Sequence, residues 1–436
     1  MSIEKITQAK AEIEASSAYK VLDKFFDEGS FCEIDAFAKS GDSYAEVVAG
    51  FGTVEGQPAY AFAQNSDICG GAMSKAQAAK LSKLYDLALK TGAPVVGFYD
   101  SIGGRLSQGN ELLKGYGDVL SAAAKISGVV PQISVILGTS LGTGALNAVS
   151  ADFVIMSKKA SLSLDTTGKD SDAEYNASKG ISAVTADDTD DAIQKAKELL
   201  LYMPSNNLSM APATFEEEPD PNGGCLGCQL ADAQSIMKIR PNYSKTSATA
   251  FARIGGQVVG YVVTKGEEID CCGADKIAKM VRFCDAFSIP VISFVNGKGF
   301  SSIKTAAKVT SAYAEATTAK ISVITGTAVG ALYIAMAGSG ANTDLTVALP
   351  DAVVSPINPM AAAFIMAPDK MNVPVKEQEK AADEFAKSEL SAFKAAENGF
   401  VEDVVPVEAL RARLIAMLDM LSSKRVPTLA KKHSTI

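Results

Sequence analysis

The 436 residues include a single histidine, His433, in a polar stretch at the far end of the sequence. Chemistry built on a buried imidazole therefore has no candidate, which excludes Ser-His-Asp and Cys-His hydrolases, HExxH zinc proteases and two-His-one-carboxylate iron sites. Any catalysis must rest on backbone groups, carboxylates or a cofactor's own base. Positive charge is also scarce: 41 Lys and Arg stand against 50 Asp and Glu, a net charge of −9, and the longest run of like charge is Glu216-Glu217-Glu218. This balance argues against a nucleic-acid backbone or an anionic membrane surface as the main partner, while leaving room for a small basic pocket.

Cysteine is sparse and dispersed: Cys32, Cys69, Cys225, Cys228, Cys271, Cys272 and Cys284 make an odd number, unlike a secreted disulfide framework. The first residues are charged and lack the apolar core of a signal peptide, so a reducing cytoplasm is the expected setting. Cys225-Leu-Gly-Cys228 is a single CxxC, Cys271-Cys272 are adjacent, and a structural zinc site needs a second spaced pair, so no metal is expected. Met237-Lys238 lacks the second methionine and the small barrel of a biotin attachment site, so the chain shows no biotin carrier of its own. The two uncharged runs, 126–151 and 321–343, are rich in Gly, Ser and Thr. Each reads as a buried strand followed by a buried helix rather than a membrane span.

What is present is ordinary globular material, 47% hydrophobic and 21% charged, long enough for two or three domains. It is internally repeated. The segment 50–64 aligns without gaps on 250–264, matching Phe51 with Phe251, Gly56 with Gly256 and Gln57 with Gln257. ISVILGTSLG, ending at Gly142, matches ISVITGTAVG, ending at Gly330, in seven of ten positions. Each copy reads as a strand hairpin, an amphipathic helix, a buried strand, another helix, then a strand entering a glycine turn that opens a further helix. The expected class is α/β, in two homologous halves, 1–215 and 236–436, joined by an acidic, Pro- and Gly-rich linker at 216–235. The helical, charged segment from Glu377 to about Arg425 is expected to pack back on the second half.

The repeated glycine turn is the main chemical signal, because backbone N–H groups at a helix start can bind an oxyanion and small residues let a carbonyl approach them. Close packing of helix on strand also calls for small residues. Two further glycine turns, Gly70-Gly71 before Ala72 and Gly103-Gly104 after an apolar strand, fit a cradle for phosphates or a pantetheine chain, although such bare patterns are more often simple loops. Neither follows a nucleotide-binding spacing.

GFGTVEGQPAYAFAQ, CGGAMSKAQAAKL, LALKTGAPVVGFYDSIGGRLSQG, SGVVPQISVILG, ADKIAKMVRFCDAFSIPV and AYAEATTAKISVIT, in that order, resemble the blocks of a known family. It comprises the beta-type carboxyltransferase subunits of biotin-dependent acyl-CoA carboxylases and of the sodium-pump acyl-CoA decarboxylases. The resemblance covers about residues 40 to 350, and more weakly to about 405. It implies two tandem crotonase-like domains with ββα repeats, the N-terminal half binding acyl-CoA and the C-terminal half biotin. It also implies a homo-oligomer, dimer-based and commonly a hexamer, whose active site forms between the N-half of one subunit and the C-half of another. A biotin carboxyl carrier protein, with biotin carboxylase or membrane decarboxylase subunits, is the implied set of partners.

Matched residue by residue, the thioester oxyanion hole falls on Gly142 and Thr143, and the biotin hole on Ala331 and Leu332 after Gly330. Gly70, Gly71, Ala72, Gly103, Gly104 and Ile334 line the substrate side, with Gly299 and Phe300 on the biotin side. The chain departs from the family in carrying Gly-Thr and Ala-Leu where Gly-Gly and Gly-Ala are usual, so Thr143, Leu332 and Ile334 are expected to narrow the pockets. The family's basic, His-containing N-terminal stretch is replaced, and the loop after Gly299-Phe300 is cut to SSIKTA.

Moving a carboxyl group between biotin and the α-carbon of an acyl thioester creates two oxyanions, which need two holes, and the sequence holds two copies of the turn. The ureido nitrogen of biotin can itself exchange the α-proton, so no side-chain base is needed. The expected function is transfer of a carboxyl group between carrier-borne biotin and a short acyl-CoA of the acetyl, propionyl, malonyl or methylmalonyl type. Two alternatives stand beside it. One is a biotin-independent crotonase-type hydratase, isomerase or decarboxylase with Asp100 as base; the other is a non-catalytic acyl-CoA-binding scaffold.

Overall fold

Each repeated hairpin turns through two residues of positive φ, Glu55 (49°) and Gly56 (76°) in the first copy, Gly255 (58°) and Gly256 (75°) in the second. That backbone suits the tight turn whose twist matches the strands on either side. A carboxylate secures both turns. Asp27 accepts the N–H groups of Glu55 and Gly56, each at 2.9 Å. Asp232 accepts those of Gly255 and Gly256 at 2.9 and 2.7 Å.

The computed structural model describes residues 3–41, 43–215, 217–219 and 223–426; His433 lies outside them. The chain divides into two compact units, Met1–Met210 and Ala211–Ile436. In unit 1 the main strands are β1 (Cys32–Glu33), β2 (Val47–Val54), β3 (Gln57–Gln64), β4 (Val95–Ser101), β5 (Gln132–Leu141), β6 (Phe153–Ser157), β7 (Ser161–Ser163) and β8 (Val184–Ala186). In unit 2 they are β9 (Met237–Ile239), β10 (Ser247–Ile254), β11 (Gln257–Thr264), β12 (Val291–Gly297), β13 (Lys320–Val329), β14 (Leu345–Ala348), β15 (Val353–Ser355) and β16 (Asp403–Val404). The first sheet runs β1-β2-β3-β4-β5-β6-β8 with β7 on β5; the second runs β9-β10-β11-β12-β13-β14-β16 with β15 on β13. In both, the first two pairings are antiparallel and the rest parallel. The repeat seen in the sequence is thus a repeat of topology.

The helices nearest the site are α1 (Lys75–Thr91), α2 (Glu111–Ile126) and α3 (Thr143–Val149) in unit 1. Unit 2 has α4 (Cys271–Ala286), α5 (Ile303–Glu315), α6 (Ala331–Met336), α7 (Pro359–Met366) and α8 (Val407–Leu421). Ser74 caps α1 by accepting the Gln77 N–H, and Gly92 ends it in a left-handed conformation. Asp270 caps α4 by accepting the Gly273 N–H at 2.6 Å. Helical spacing buries Ala78, Leu81, Leu84, Tyr85 and Ala88 of α1, and Ile277, Met280, Val281 and Cys284 of α4. Each large side chain so buried contributes about 1.5–3 kcal/mol.

One buried lysine recurs at the same place on these helices. Lys80 donates to the Val47 carbonyl and Lys276 to that of Ser247, both at 3.2 Å. Glu33 neutralises Lys80 at 2.7 Å, whereas Lys276 gains the Ser244 carbonyl at 3.4 Å. Burial first, then the nearby Lys265 and Arg240, pull the Lys276 amine down to about 8.

The uncharged runs are the strand and helix pairs β5–α3 and β13–α6. Among the described residues no helix is long and apolar enough to cross a membrane. The C-terminal helix α8 buries Leu410, Leu414 and Leu418 in the core of unit 2. The stretch 216–235, expected as a linker, is built into that unit over its described residues. Cys225 and Cys228 form a disulfide at the start of a short helix, Leu226–Leu230. Leu230 and Ala231 enter the core, and Arg411 donates to the Leu230 carbonyl at 2.6 Å.

Candidate active site

In unit 1 the three glycine segments converge at the C-terminal ends of the parallel strands. Gly70 and Gly71 adopt φ of 61° and 68°, and a Cβ on Gly71 would lie 2.2 Å from the Asp100 carbonyl. This loop then pairs with the next one. Ile102 N–H bonds the Gly70 carbonyl, Met73 N–H that of Gly103, and Arg105 N–H that of Met73. Ser101 at the end of β4 stands opposite Ser140 of β5, two residues before Gly142. Gly70, Gly71, Ala72, Gly103 and Gly104 therefore lie on adjoining segments tied to the strand that ends in the Gly142 turn.

Gly142 has φ 67° and ψ −142°, a conformation open to glycine and strained for L side chains. Its own N–H is engaged by the Ser163 carbonyl at 2.9 Å. The turn's outward donors are consequently the N–H groups of Thr143 and Gly144, which as the first helical residues have no intrahelical acceptor. Gly142 thus supplies the conformation and Thr143 a donor. The Tyr116 phenol sits 3.7 Å from where a Cβ on Gly144 would lie, and burial pushes it up to about 12. It stays protonated at neutral pH. Nothing in the sequence pattern singled it out, since it occupies an ordinary apolar position of α2.

Unit 2 repeats the arrangement. Glu268-Ile269 pairs in parallel with Gly299-Phe300, and Ser301 N–H bonds the Ile269 carbonyl. Gly330 has φ 48° and ψ −116°, with its N–H on the Ser355 carbonyl at 2.8 Å. Ala331 and Leu332 then offer their N–H groups. The expectation that the Leu332 side chain narrows the pocket is corrected here. Leu332 is fully buried and packs against Gly297, so it points into the unit. Ile334 does reach the surface, 55% exposed, and Thr143 is exposed too. Ile357 and Phe364, after β15 and in α7, are also exposed, leaving an apolar rim in the segments that follow Ser355.

A buried charged network supports the unit 1 loops. Glu46, with no exposed surface, contacts the Arg105 guanidinium and accepts the Ser74 hydroxyl at 2.5 Å. Arg105 continues to Ser40. In unit 2 a neutral and acidic set takes this place: the hydroxyls of Ser244 and Thr246 donate to Asp270 at 2.9 and 3.0 Å. Among the described residues no group of three or more His, Cys, Asp or Glu is placed to hold a metal ion.

Comparison with known proteins identifies the family. Residues 16–436 match the carboxyl transferase domain family. The chain is 34% identical to the methylmalonyl-CoA decarboxylase subunit alpha of Veillonella parvula, over 96% of this chain and 92% of that protein. It is 32% identical to the mitochondrial propionyl-CoA carboxylase beta chain of Sus scrofa, over 96% and 88%. The crystal structure of the transcarboxylase 12S hexamer, with hydrolysed methylmalonyl-coenzyme A bound, superposes with a TM-score of 0.92 at 29% identity, covering 99% of this chain and 98% of that one. The fold is the crotonase-like one, present twice, and the chain belongs to the carboxyl transferase domain family.

Proposed function

We propose that this chain transfers a carboxyl group between biotin on a separate carrier protein and a short acyl-CoA. The observation that carries this reading is the duplication of one strand, bulge and glycine turn, each turn ending in two outward backbone N–H groups. Thr143 and Gly144 would hold the thioester oxygen as it takes on enolate charge, and the loops of Gly70–Ala72 and Gly103-Gly104 would seat the pantetheine chain. Ala331 and Leu332 would hold the ureido oxygen, with Gly299 and Phe300 beside them. Biotin, when present, supplies the ring nitrogen that exchanges the carboxyl group and the α-proton, so the chain needs no imidazole. Fixed donors in a water-poor site are worth most where charge develops, which is at these two oxygens.

The relatives are named as subunits of decarboxylase and carboxylase complexes, and the transcarboxylase structure is a hexamer. This supports an oligomer working with a biotin carrier and a carboxylase or decarboxylase partner. The test is loss of carboxyl from malonyl-, methylmalonyl- and glutaconyl-CoA, followed by mass spectrometry with and without free biotin. Biotin-dependent loss is expected and names the acyl group. Loss independent of biotin would replace this reading with a crotonase-type decarboxylase, and binding of the CoA thioesters without turnover would replace it with a scaffold.

A further inference from the structure

Between Tyr99 and Ser101 of β4, the register to β5 slips by two residues: Tyr99 faces Ile136, but Ser101 faces Ser140. The same slip recurs in unit 2, where Val295 faces Ile324 and Gly297 faces Ala328. Leu137, Gly138 and Thr139 therefore stand opposite Asp100 alone, and Thr325, Gly326 and Thr327 opposite Asn296 alone. In both places the lone residue's side chain fills the bulge. Asp100 Oδ1 accepts the Thr139 N–H at 3.0 Å, and Asn296 Oδ1 accepts the Thr327 N–H at 3.0 Å. A Cβ on Gly138 would lie 2.1 Å from Asp100 Oδ1, and one on Gly326 2.4 Å from Asn296 Oδ1, so glycine is required at both. The clamp is itself held from the next strand. Gln64 Oε1 accepts the Asp100 N–H at 3.1 Å, and Thr264 Oγ1 accepts the Asn296 N–H at 2.8 Å.

At these threonines each strand changes neighbour. β5 is paired with β6 through Ile136 and with β7 from Thr139, and β13 with β14 through Ile324 and with β15 from Thr327. Three residues later come Gly142 and Gly330, each tied to the last residue of the new neighbour. We infer that Asp100 and Asn296 are positioning residues, whose acceptor oxygens plug the two bulges and so fix where the two glycine turns present their N–H groups. What the site needs is an acceptor oxygen at that length. Negative charge is not required, because one copy uses a carboxylate and the other an amide. A base role for Asp100 is a separate claim that the same substitutions decide.

The inference rests on the proposed function for its catalytic readout, and the test uses the full chain. Asp100→Asn and Asn296→Asp keep the acceptor and are expected to hold kcat for biotin-dependent decarboxylation within about threefold. Asp100→Ala and Asn296→Ala should lower kcat by about 10- to 100-fold, with KM for the acyl-CoA within about twofold, because the donors shift while the loops of Gly70–Ala72 and Gly103-Gly104 that seat the pantetheine chain remain. Amide hydrogen exchange should rise over 137–142 in Asp100→Ala and over 325–330 in Asn296→Ala, and stay unchanged in the conservative pair. An Asp100→Asn variant as impaired as Asp100→Ala overturns the inference, as does an alanine variant with wild-type kcat and exchange. Where an alanine variant fails to fold, the conservative pair decides: retained kcat sustains the inference and lost kcat overturns it. If the wild-type chain shows no biotin-dependent turnover, the functional reading fails, and the exchange data still decide the positioning role.

Discussion

The Glu46 carboxylate, fully enclosed, meets the Arg105 guanidinium one residue after Gly103-Gly104. Its other oxygen takes the hydroxyl of Ser74, which caps α1 immediately after Gly70–Met73. One buried anion thus joins the ends of both substrate-side loops. Glu46→Gln removes the charge and leaves Arg105 uncompensated in a site where its side chain is only 17% exposed. Breaking a buried pair from one side costs about 3–5 kcal/mol. We predict a loss of that order in denaturant unfolding of unit 1, and a raised KM for acyl-CoA.

The two glycine turns should respond differently to the same change. A Cβ at Gly142 would meet the Thr166 methyl at 3.3 Å, a side chain able to move, whereas at Gly330 it would meet the Pro356 carbonyl at 2.8 Å. Gly142→Val is expected to abolish turnover by misplacing the donors, a loss of about 10²- to 10³-fold in kcat, while size-exclusion chromatography shows the assembly intact. Wild-type rates in that variant would remove the proposed thioester hole. Gly330→Val should cost unit 2 measurable thermal stability as well as turnover.

Lys320 is buried, and burial first, then Lys424, hold its amine down at about 8. The chain carries its own replacement, because Gln132 at the matching position of β5 donates to the Ala123 carbonyl at 3.2 Å, just as Lys320 donates to that of Ala316. Folding disfavours the charged amine, so the cost is fully present below pH 8 and is relieved as pH rises from about 8 towards the unfolded value of 10.5. Wild-type stability should therefore contain a rising contribution across that window. Lys320→Gln is predicted to be the more stable protein at pH 7 by about 1 kcal/mol or more, and to lose that rising contribution in urea titrations between pH 7 and 10.5.

Asp27 and Asp232 hold equivalent hairpin turns in unequal surroundings. Asp232 also accepts from Arg411 at 2.9 Å, with the carboxylate side chain 2% exposed and that of Arg411 14%. Asp232→Asn should cost about 3–5 kcal/mol, since it removes the carboxylate from a buried ion pair. Asp27→Asn, at a more accessible carboxylate, should cost about 1 kcal/mol, the worth of an ordinary hydrogen bond. Equal losses in thermal or denaturant unfolding would contradict the contrast.

The doubled α/β order was legible in the sequence because hairpin, capped helix and ISVI strand recur with their apolar spacing intact. The glycine turns were legible because positive φ selects glycine. Harder to read were features that depend on neighbours distant in sequence. The engagement of Gly142 and Gly330 N–H groups by Ser163 and Ser355 needs the partner change of β5 and β13. The inward packing of Leu332 depends on the small surface of Gly297 across the strand. Lys276 and Lys320 sit in apolar stretches where composition suggests exposed cations, and only the carbonyls that receive them account for their burial. The acidic stretch near Glu217 has a linker's composition, yet Arg411, nearly two hundred residues on, donates to its backbone at 2.9 Å.

The outermost strands, β1 and β8 in one sheet and β9 and β16 in the other, are each only two or three residues long. The long strands, with nearly continuous buried runs such as Val95–Phe98 and Val291–Val295, lie inside. Among the described residues of a chain that is 47% hydrophobic, each sheet therefore ends in an outermost strand of only two or three residues, and β9 further places the exposed Lys238 at its centre. Such margins resist the edge-to-edge stacking that seeds fibrils, so concentrated preparations should be limited by exposed apolar side chains such as Ile334, Ile357 and Phe364 before any growth along the sheets.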